Sequence, residues 1–564
     1  MKNSIYKLGL LAALLLSTVS CSFLETEPHV MTPENFYKSE KEVNYGLAGV
    51  YGAMSREEFY GNYFSLMISN ADDLCYYNRE RTKNCVYFYN HDASDPYVYD
   101  AWTTIYAGIK NANEFMYYVA DSPFDKDAIC YNEARFLRAY YHFLLAESWG
   151  NVPMRTTRVL NPNDTQLAST AQEKVLEWCV SEMEAIAPTF PDALNNAPSR
   201  LTRASMEGIL ARVCLFTAGT TVKNVDSKAY YAKAAKWAGE VIKDARIKLN
   251  PSYSDVFINM ISDKYDRDYN ESMWEVDFLG DRSNAQSWTN GRIGDQIGLQ
   301  SNNSDGKFAF WTCNYSYAMY NGSLKLWDLY YKTDRATDEN ETIKDVRQAW
   351  NMPPYNYLGF KDKGVYVFRP SYEPAPYVYG KARSFEGADP SKDTGNAVCR
   401  RNAGKWRRES MYEGHKVAKS LYTAINFPLL RYADVLLMYA EAVNELNGAP
   451  DDLAKECVKK VRERAGIKTD DSQLTDDFRE LVRNERGREL AFEGVRKFDL
   501  IRWGTFVKEM NDYSKQVADP RWVNDPKAHY AAETGSSVRP KHIYLPIPSK
   551  ELGVNKLLRQ NPLW

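Results

Sequence analysis

Two stretches of the sequence combine aromatic and polar side chains in a way suited to binding a ligand. One spans residues 72–81 and the other residues 288–317. Flat aromatic rings contact the apolar faces of a ligand, and planar amide, carboxylate or guanidinium groups hydrogen-bond to its polar groups. The candidate ligand-binding residues are Asp73, Tyr76, Tyr77, Asn78, Arg79, Arg81, Trp288, Trp311, Tyr315 and Tyr317, with Asn290, Arg292 and Asn314 between the aromatic residues of the second stretch.

Tyrosine and tryptophan are abundant along the whole chain, with 41 Tyr and 13 Trp among 564 residues. Both are amphipathic aromatic residues that stack and hydrogen-bond at once, which suits a surface that holds a ligand. The alternative is that most of them are ordinary core residues with polar tips. The candidate residues differ from the other Tyr and Trp residues because they lie in predicted loops that are rich in both aromatic and polar groups.

Motifs of known catalytic chemistry are missing from the sequence. None of the six histidines lies in HExxH or another metal-ligand spacing, and the chain has no GxSxG, Walker A or GxGxxG motif. Asp72 and Asp73 form a tempting acidic pair beside aromatic residues, with three open roles: a loop or cap acid, a hydrogen-bonding group for a ligand, or a catalytic group. The sequence therefore predicts a binding protein, not an enzyme, with no cofactor and no metal site.

Composition predicts a folded chain with a large core and gives no support for nucleic-acid binding. Hydrophobic residues make up 44% and charged residues 26% of the chain. The net charge is -3, and no block of like charge stands out. A general electrostatic basis for binding nucleic acid is therefore absent.

The first 20 residues have the pattern of a lipoprotein signal peptide. Lys2 and Lys7 precede an apolar run at residues 8–19 that is too short to span a bilayer, and small residues lead to Cys21. A Cys in this place resembles a bacterial lipobox, so Cys21 is the predicted lipidation site and the first residue of the mature chain. Plain secretion with an incidental Cys21 is the alternative. No later stretch approaches the roughly 20 apolar residues of a spanning helix, so the lipid is the expected membrane anchor.

The other eight cysteines show no CxxC pair and no zinc-binding spacing. Cys75 and Cys85 could bridge a loop, and the sequence leaves that open. The cysteines in helical patterns are predicted to be small buried residues; they are Cys130, Cys179, Cys214 and Cys457.

Helical periodicity dominates both ends of the sequence. The predicted helices span residues 44–54, 102–119, 128–149, 170–187, 202–216, 227–244, 428–447, 453–465 and 477–494. Thr202 is the expected N-cap of one of them. Residues 272–422 are predicted to be rich in loops, with a strand at 275–278 and a short helix at 325–331, and residues 506–564 to be extended. Loops this long usually carry function, so the helices are expected to position the binding loops.

Residues 483–502 carry interleaved basic and acidic side chains. Because acids and bases alternate at a spacing of i,i+3, the stretch predicts a salt-bridged helix and turn rather than an anion site. The expected pairs are Glu485 with Arg488, Arg486 with Glu489, Glu493 with Arg496, and Asp499 with Arg502.

Several segments resemble the SusD-like (RagB-like) outer-membrane nutrient-binding lipoproteins of Bacteroidota. In chain order they are Cys21 to Glu25 with Pro28; Trp102, Tyr106, Ile109 and Asn113; Ala134 to Tyr141 followed by Trp149 to Pro153; Arg431 to Ala442; Glu485 to Trp503; and Leu545 to Pro548 with Gln560, Asn561 and Pro562. The order of these segments, together with the lipobox, makes the match specific.

The resemblance implies one all-α domain over residues 21–564 after a signal peptide at residues 1–20. Its helical scaffold, mainly residues 40–260 and 425–505, is expected to contain about four tetratricopeptide-type helix pairs, and its loop-rich remainder is expected to hold the ligand. The family often places ligand contacts in the stretch at residues 72–81.

The resemblance also implies a function. The protein is expected to be a lipid-anchored, outward-facing protein of the outer membrane that binds oligosaccharides and delivers them to a SusC-like TonB-dependent transporter. A peptide-binding lipoprotein of the same fold is the alternative, and a glycoside hydrolase on a helical scaffold is a more remote hypothesis.

Overall fold

The computed structural model describes residues 36–80, 84–125, 128–192, 197–280, 289, 291–303, 316–333, 345–353, 355–362, 365–372, 401–408, 422–474, 477–518 and 526–564. Within these ranges the fold is mostly helical, with three small β-sheets. The predicted all-α class is confirmed at this level. The division of the helices into tetratricopeptide units stays a prediction.

The N-terminal part of the scaffold is a series of helices close to those predicted. They are α1 Glu40–Tyr51, α2 Pro96–Val119, α3 Ile129–Trp149, α4 Gln172–Ile186, α5 Arg203–Thr217, α6 Ser227–Ile242 and α7 Tyr253–Ile261. Thr202 is the N-cap of α5, as predicted, because its hydroxyl accepts a hydrogen bond from the backbone N–H of Ser205 at 3.2 Å. Helix α2 begins earlier than predicted, because Asp95 caps it and Pro96 occupies its first position.

The middle of the chain alternates short strands and short helices. The strands are β1 Cys75–Tyr77, β2 Ser272–Val276, β3 Ser301–Asn303, β4 Tyr320–Gly322, β5 Tyr355–Asp362, β6 Val365–Tyr372 and β7 Phe427–Arg431, and the helices are α8 Ile293–Gln296, α9 Leu324–Thr333 and α10 Val346–Asn351. Strand β1 pairs with β4 and β2 with β7, both antiparallel. In the third sheet, β5 pairs in parallel with β3 and antiparallel with β6.

The C-terminal part departs from the sequence prediction at two places. Its helices are α11 Tyr432–Asn447, α12 Asp452–Arg464, α13 Phe478–Leu490, α14 Arg496–Arg502, α15 Phe506–Ala518, α16 Pro526–Ser537 and α17 Ser549–Val554. Residues 427–431 form β7 instead of the start of a helix, because this segment pairs with β2. Residues 506–564 include α15 and α16 rather than being extended throughout. Phe506, Met510, Tyr513 and Val517 form a buried stripe at helical spacing in α15.

A buried glycine brings the sheet and the helices together. Gly208 in α5 packs against β7, where an added Cβ would lie 2.5 Å from Leu430 Cδ2. A larger residue at this position would therefore push β7 away from α5. Since β7 leads directly into α11, this contact fixes where the C-terminal helices begin.

A buried network of ion pairs connects the elements of the C-terminal part. Arg431, at the end of β7, contacts Glu271 at 2.9 Å, Glu489 at 3.0 Å and Glu493 at 2.7 Å. Arg347 in α10 contacts Glu489 at 3.2 Å. Charges this deeply buried are tolerated only when they are paired and hydrogen-bonded. The network therefore makes the loop-rich middle and the C-terminal helices interdependent.

The pairs predicted for residues 483–502 are half right. Glu485 pairs with Arg488 at 2.9 Å and Asp499 with Arg502 at 2.7 Å, as predicted. The prediction is wrong for the other two pairs, whose members reach across to distant elements. Arg486 pairs with Asp434 and Asp499, Glu493 with Lys405 and Arg431, and Arg496 with Asp73. Helix α13 ends at Leu490, and Gly494 has a φ of 73°, so the helical spacing of Glu493 and Arg496 is not maintained through the turn. Arg486 and Glu489 both lie within α13, but each pairs with a charged residue of another element instead.

The described cysteines are buried thiols. Cys130, Cys179, Cys214 and Cys457 lie inside helices, as predicted. Cys75 and Cys85 are also free thiols, which answers the question that the sequence left open. Burial raises the pKa of the Cys457 thiol to about 12, which keeps it protonated at neutral pH.

Candidate functional site

A short two-stranded sheet holds the loop at residues 72–81 against the segment at residues 316–322. In the register of β1 and β4, Tyr77 faces Tyr320 and Cys75 faces Gly322. The backbone N–H of Asn78 extends the pairing by donating to the carbonyl of Met319 at 2.8 Å. The first stretch that the sequence singled out therefore lies against the segment that directly follows the second stretch.

Asp73 is buried beneath the loop and is fully engaged with cations. Its carboxylate accepts hydrogen bonds from Arg496 at 2.9 and 3.0 Å and lies 2.5 Å from Lys325 Nζ. Burial alone would raise the pKa of Asp73, but Arg496 and Lys325 outweigh it and hold that pKa well below its usual range. Burial and the charge of Asp73 raise the pKa of the neighbouring Asp72 to about 7. In this arrangement Asp73 fixes the loop to α14 and α9, where it is 0% exposed.

Tyr76 and Asn78 are also buried, each 2% exposed. The amide of Asn78 donates to the carbonyl of Ala318 at 2.8 Å and to Oδ1 of Asn321 at 2.7 Å. The amide of Asn321 donates in turn to the hydroxyl of Tyr76 at 3.1 Å. These contacts hold the loop against β4 and the residues just before β4. Tyr76 and Asn78 therefore support the exposed part of the loop from beneath.

Tyr77, Arg79 and Tyr317 are partly exposed at the rim of the same sheet. The guanidinium of Arg79 donates to the carbonyl of Tyr317 at 2.8 Å. The ring of Tyr77 packs edge-on against Tyr320 at 5.5 Å between ring centroids. The structure thus brings together one predicted residue from each loop, Arg79 and Tyr317, near the partly exposed ring of Tyr77.

Four partly exposed tyrosines continue outward from this rim, and we call Tyr63, Tyr77, Tyr87 and Tyr97 the tyrosine surface. Their ring centroids are 4.4 Å apart for Tyr77 and Tyr87 and 6.3 Å for Tyr87 and Tyr97. The centroids of Tyr63 and Tyr97 are 4.8 Å apart. Each ring is held by its neighbour, so the surface is assembled before any ligand arrives.

Polar side chains border the tyrosine surface. The guanidinium of Arg292 contacts Asp295 at 2.7 Å and Glu57 at 3.7 Å, and the hydroxyl of Tyr422 donates to Glu57 at 3.2 Å. The backbone N–H of Arg292 donates to the carbonyl of Gly61 at 2.8 Å, which fixes the segment before α8 beside Tyr63. The result is a row of aromatic rings flanked by planar charged groups.

The tyrosine hydroxyls stay protonated at neutral pH. Burial, followed by the charge of Glu57, raises the pKa of Tyr63 to about 12. Burial also raises the pKa of Tyr77 and Tyr97, and the positive charge of Arg292 opposes part of that rise in both. The surface can therefore donate and accept hydrogen bonds through its hydroxyls while its rings contact apolar faces.

Several predicted residues lie outside the described part of the chain. These are Arg81, Trp288, Trp311 and Tyr315, together with Asn290, Asn314 and the predicted lipidation site Cys21. Described residues border some of these positions: Glu80 precedes Arg81, and Ser316 follows Tyr315. The proposed roles of these residues therefore stay predictions.

Three members of the tyrosine surface were missed by the sequence analysis. Tyr63 belongs to the π-helical segment Tyr63–Ile68, Tyr87 to the short turn Val86–Phe88, and Tyr97 to the first turn of α2. None of these settings gives a periodic signal that distinguishes an exposed ring from a buried one. The Asp-Pro pair at the start of α2 was the one available clue, because it places Tyr97 at a helix end.

A cavity of about 60 Å³ lies in the core between α3, α5, α13 and α14, away from the tyrosine surface. Its lining includes Glu147, Arg212, Asp499 and Arg502. Glu147 is 5% exposed, and no described residue hydrogen-bonds to its carboxyl group. The volume is enough for a few water molecules, which are the natural partners of such a group. No cluster of three or more metal-ligating side chains occurs in the described ranges.

Comparison with known proteins places the chain in a family. A model described as the SusD family matches residues 263–564, more than half of the chain, and a model described as "Starch-binding associating with outer membrane" matches residues 22–215. The chain belongs to the SusD family. This confirms the resemblance that the sequence segments indicated. It also confirms the prediction that the chain is a binding protein rather than an enzyme.

Relatives and solved structures in the SusD family align along nearly the full length of the chain. It is 26% identical to SusD-like protein P25 of Formosa agariphila, over 97% of this chain and 96% of that protein. A SusD homolog from Bacteroides thetaiotaomicron has the same fold, with a TM-score of 0.79 at 24% identity, covering 94% of this chain and 98% of that one. A laminarin-binding SusD-like protein gives a TM-score of 0.64 at 20% identity, covering 94% and 100%.

Proposed function

We propose that this protein binds oligosaccharides at the tyrosine surface and passes them to a SusC-like TonB-dependent transporter in the outer membrane. The tyrosine surface is the observation that carries the proposal. Two comparisons support glycan as the ligand class. A solved protein of the same fold is described as laminarin-binding, and one matching family model is described as starch-binding.

The chemistry of the surface suits a sugar chain. Tyr87 and Tyr97 offer ring faces and edges for the apolar C–H faces of sugar rings, and their protonated hydroxyls offer hydrogen bonds to sugar hydroxyls. Arg79 and Arg292 add planar donors at the border. A neutral oligosaccharide needs both kinds of contact along its length, and the row of tyrosines offers them in sequence.

The predicted site residues divide into two roles in this proposal. Tyr77, Arg79 and Tyr317 contact the ligand, together with Arg81, Trp288, Trp311 and Tyr315 from the segments beyond the described ranges. Asp73, Tyr76 and Asn78 position the loop from beneath, because each is buried and bonded to the protein.

Replacing Tyr87 or Tyr97 by Ala is expected to weaken oligosaccharide binding by about threefold to tenfold for each residue. A stacked aromatic contributes about 0.5–1.5 kcal/mol beyond its burial, and about 1.4 kcal/mol corresponds to a factor of ten in affinity. The measurement is the dissociation constant for a laminari- or malto-oligosaccharide by calorimetry, with the melting temperature of each variant.

Tyr439→Ala is the matched control, because Tyr439 is also partly exposed but lies on α11 beside Asp451. Its affinity should equal that of the wild type. Unchanged affinity for Tyr87→Ala and Tyr97→Ala, with saturable glycan binding retained, would place the ligand elsewhere on the protein.

We infer that Cys21 is acylated and anchors the protein in the outer membrane. In the described part of the chain, no helix is long and apolar enough to cross a bilayer. Cys21→Ala is therefore expected to release the protein from the outer-membrane fraction, as measured by fractionating cells that lack the transporter partner. Retention at the wild-type level in such cells would contradict lipid anchoring through this residue.

A further inference from the structure

The described chain begins with aromatic residues pinned to the end of α2. The rings of Phe36 and Tyr37 are 5.0 Å apart, and Tyr37 contacts Phe115 at 5.8 Å between centroids. Gly46 in α1 makes room for this contact, because a Cβ there would lie 2.5 Å from Tyr37 Cε1. The start of the fold is therefore fixed at the C-terminal end of α2 instead of hanging free of it.

An arginine and two more tyrosines extend this aromatic group. Tyr37 stacks on Tyr118 at 5.8 Å, and Tyr117 meets Tyr118 at 5.1 Å. The guanidinium of Arg158 lies over both rings, 4.8 Å from the centroid of Tyr117 and 4.9 Å from that of Tyr118. Among the described residues, no carboxylate forms an ion pair with Arg158. The guanidinium of Arg158 is thus held on aromatic rings, and its N–H groups are available to bind an anionic group of another molecule.

The residues after Arg158 are apolar and exposed. Leu160 is 73% exposed and Val159 36%, while Tyr117 is 57% exposed. We call Phe36, Tyr37, Tyr117, Tyr118, Arg158 and Leu160 the aromatic face. Tyrosine, arginine and an exposed leucine together are typical of protein surfaces at the boundary between lipid headgroups and acyl chains.

The length of the preceding chain favours a membrane as the occupant of this face. Phe36 follows Cys21 by 15 residues. A fully extended chain of that length reaches at most about 50 Å, so a lipid on Cys21 keeps Phe36 within about that distance of the bilayer. A second membrane contact would strengthen the binding of a protein that is anchored at one point, because two weak membrane contacts on one molecule reinforce each other.

We propose that the aromatic face contacts the lipid headgroup region, with Arg158 on a lipid phosphate and Tyr117 and Leu160 inserted at the interface. This inference uses the lipid anchor of the proposed function as its reason for the membrane. It does not depend on the ligand bound at the tyrosine surface. The contact orients the protein on the bilayer in addition to the tether.

The test is flotation of a chain that begins at Ser22, and so lacks the anchor, with vesicles of phosphatidylethanolamine and phosphatidylglycerol. The chain is expected to associate weakly and measurably at high lipid concentration. Tyr117→Ser combined with Leu160→Ser should reduce the bound fraction by about fivefold to tenfold. Arg158→Gln should reduce the loss of binding that added salt causes, because it removes the contact to phosphate.

Leu563→Ser is the matched control, since Leu563 is 72% exposed and lies in the C-terminal segment that bonds to α3 through Asn561 and Trp149. Its vesicle binding should equal that of the wild type. Equal binding by all variants, or no binding by the wild type, overturns the proposal. The proposal is also overturned if the double variant binds vesicles like the wild type but no longer co-purifies with the transporter. That result would show that the aromatic face contacts a protein instead of lipid. Oligosaccharide affinity, measured in the same variants, reports on the proposed function separately.

Discussion

Replacing Glu489 by Gln is expected to lower the free energy of unfolding by about 3–5 kcal/mol. Glu489 is 0% exposed, and its carboxylate contacts Arg431 at 3.0 Å, Arg464 at 2.6 Å and Arg347 at 3.2 Å. Burial would raise the pKa of Glu489, but these arginines outweigh it and hold that pKa well below its usual range. A neutral amide of the same shape would leave three guanidinium groups buried with too little negative charge.

Urea denaturation at neutral pH measures this loss. Glu177→Gln is the control, because Glu177 forms an exposed pair with Lys174 at 2.8 Å, and such pairs contribute about 0–1 kcal/mol. A loss below about 1 kcal/mol for Glu489→Gln would show that the buried network is not needed for stability.

Raising the pH is expected to destabilise the protein through Glu147, by on the order of 2–4 kcal/mol between about pH 5 and about pH 9. Burial raises the pKa of Glu147 to about 8, and Arg212 and Arg502 offset only part of that rise. The folded state therefore keeps the proton at pH values where the unfolded chain, with a pKa of 4.5, has lost it. The stability from this group is fully present below about pH 4.5 and is lost as the pH rises through about 8.

The difference between wild type and Glu147→Gln isolates this effect. Burial raises the pKa of Glu275 to about 7 and lowers that of Lys497 to about 7, and these groups affect the pH dependence in opposite directions in both proteins. In unfolding measurements across this range, the Gln variant should lack the loss that belongs to Glu147. Parallel curves for the two proteins would mean that Glu147 is ionised in the folded state, with water in the cavity stabilising its charge.

The sequence predicts long elements well because their burial is periodic. Helices α4 and α6 begin and end close to the predicted residues, since each packs an apolar stripe against its neighbours. Strand β7 was missed because five apolar or basic residues before a helix resemble one more helical turn, and only the pairing with β2 decides otherwise. The partners of Arg486 and Arg496 were missed for the same reason, as pairing across distant elements has no local signal.

The candidate site was also only partly predictable from the sequence, because some of its contacts join residues that are far apart in the chain. The guanidinium of Arg79 in the first candidate stretch donates to the carbonyl of Tyr317 in the second, a contact between residues far apart in the chain that composition alone does not reveal. The burial of Asp73 depends on Arg496, which is far away in the chain, so composition could not distinguish it from an exposed acid. Tyr63, Tyr87 and Tyr97 come from three separate segments, and only the fold places them beside Tyr77.

Calorimetric titration of the mature chain with a panel of oligosaccharides and a panel of peptides of similar size tests the central claim most directly. Oligosaccharide binding at the tyrosine surface predicts saturable binding to at least one glycan, and its loss in the double variant Tyr87→Ala, Tyr97→Ala. Saturable binding to peptides and to no glycan would contradict it in favour of the peptide-binding alternative.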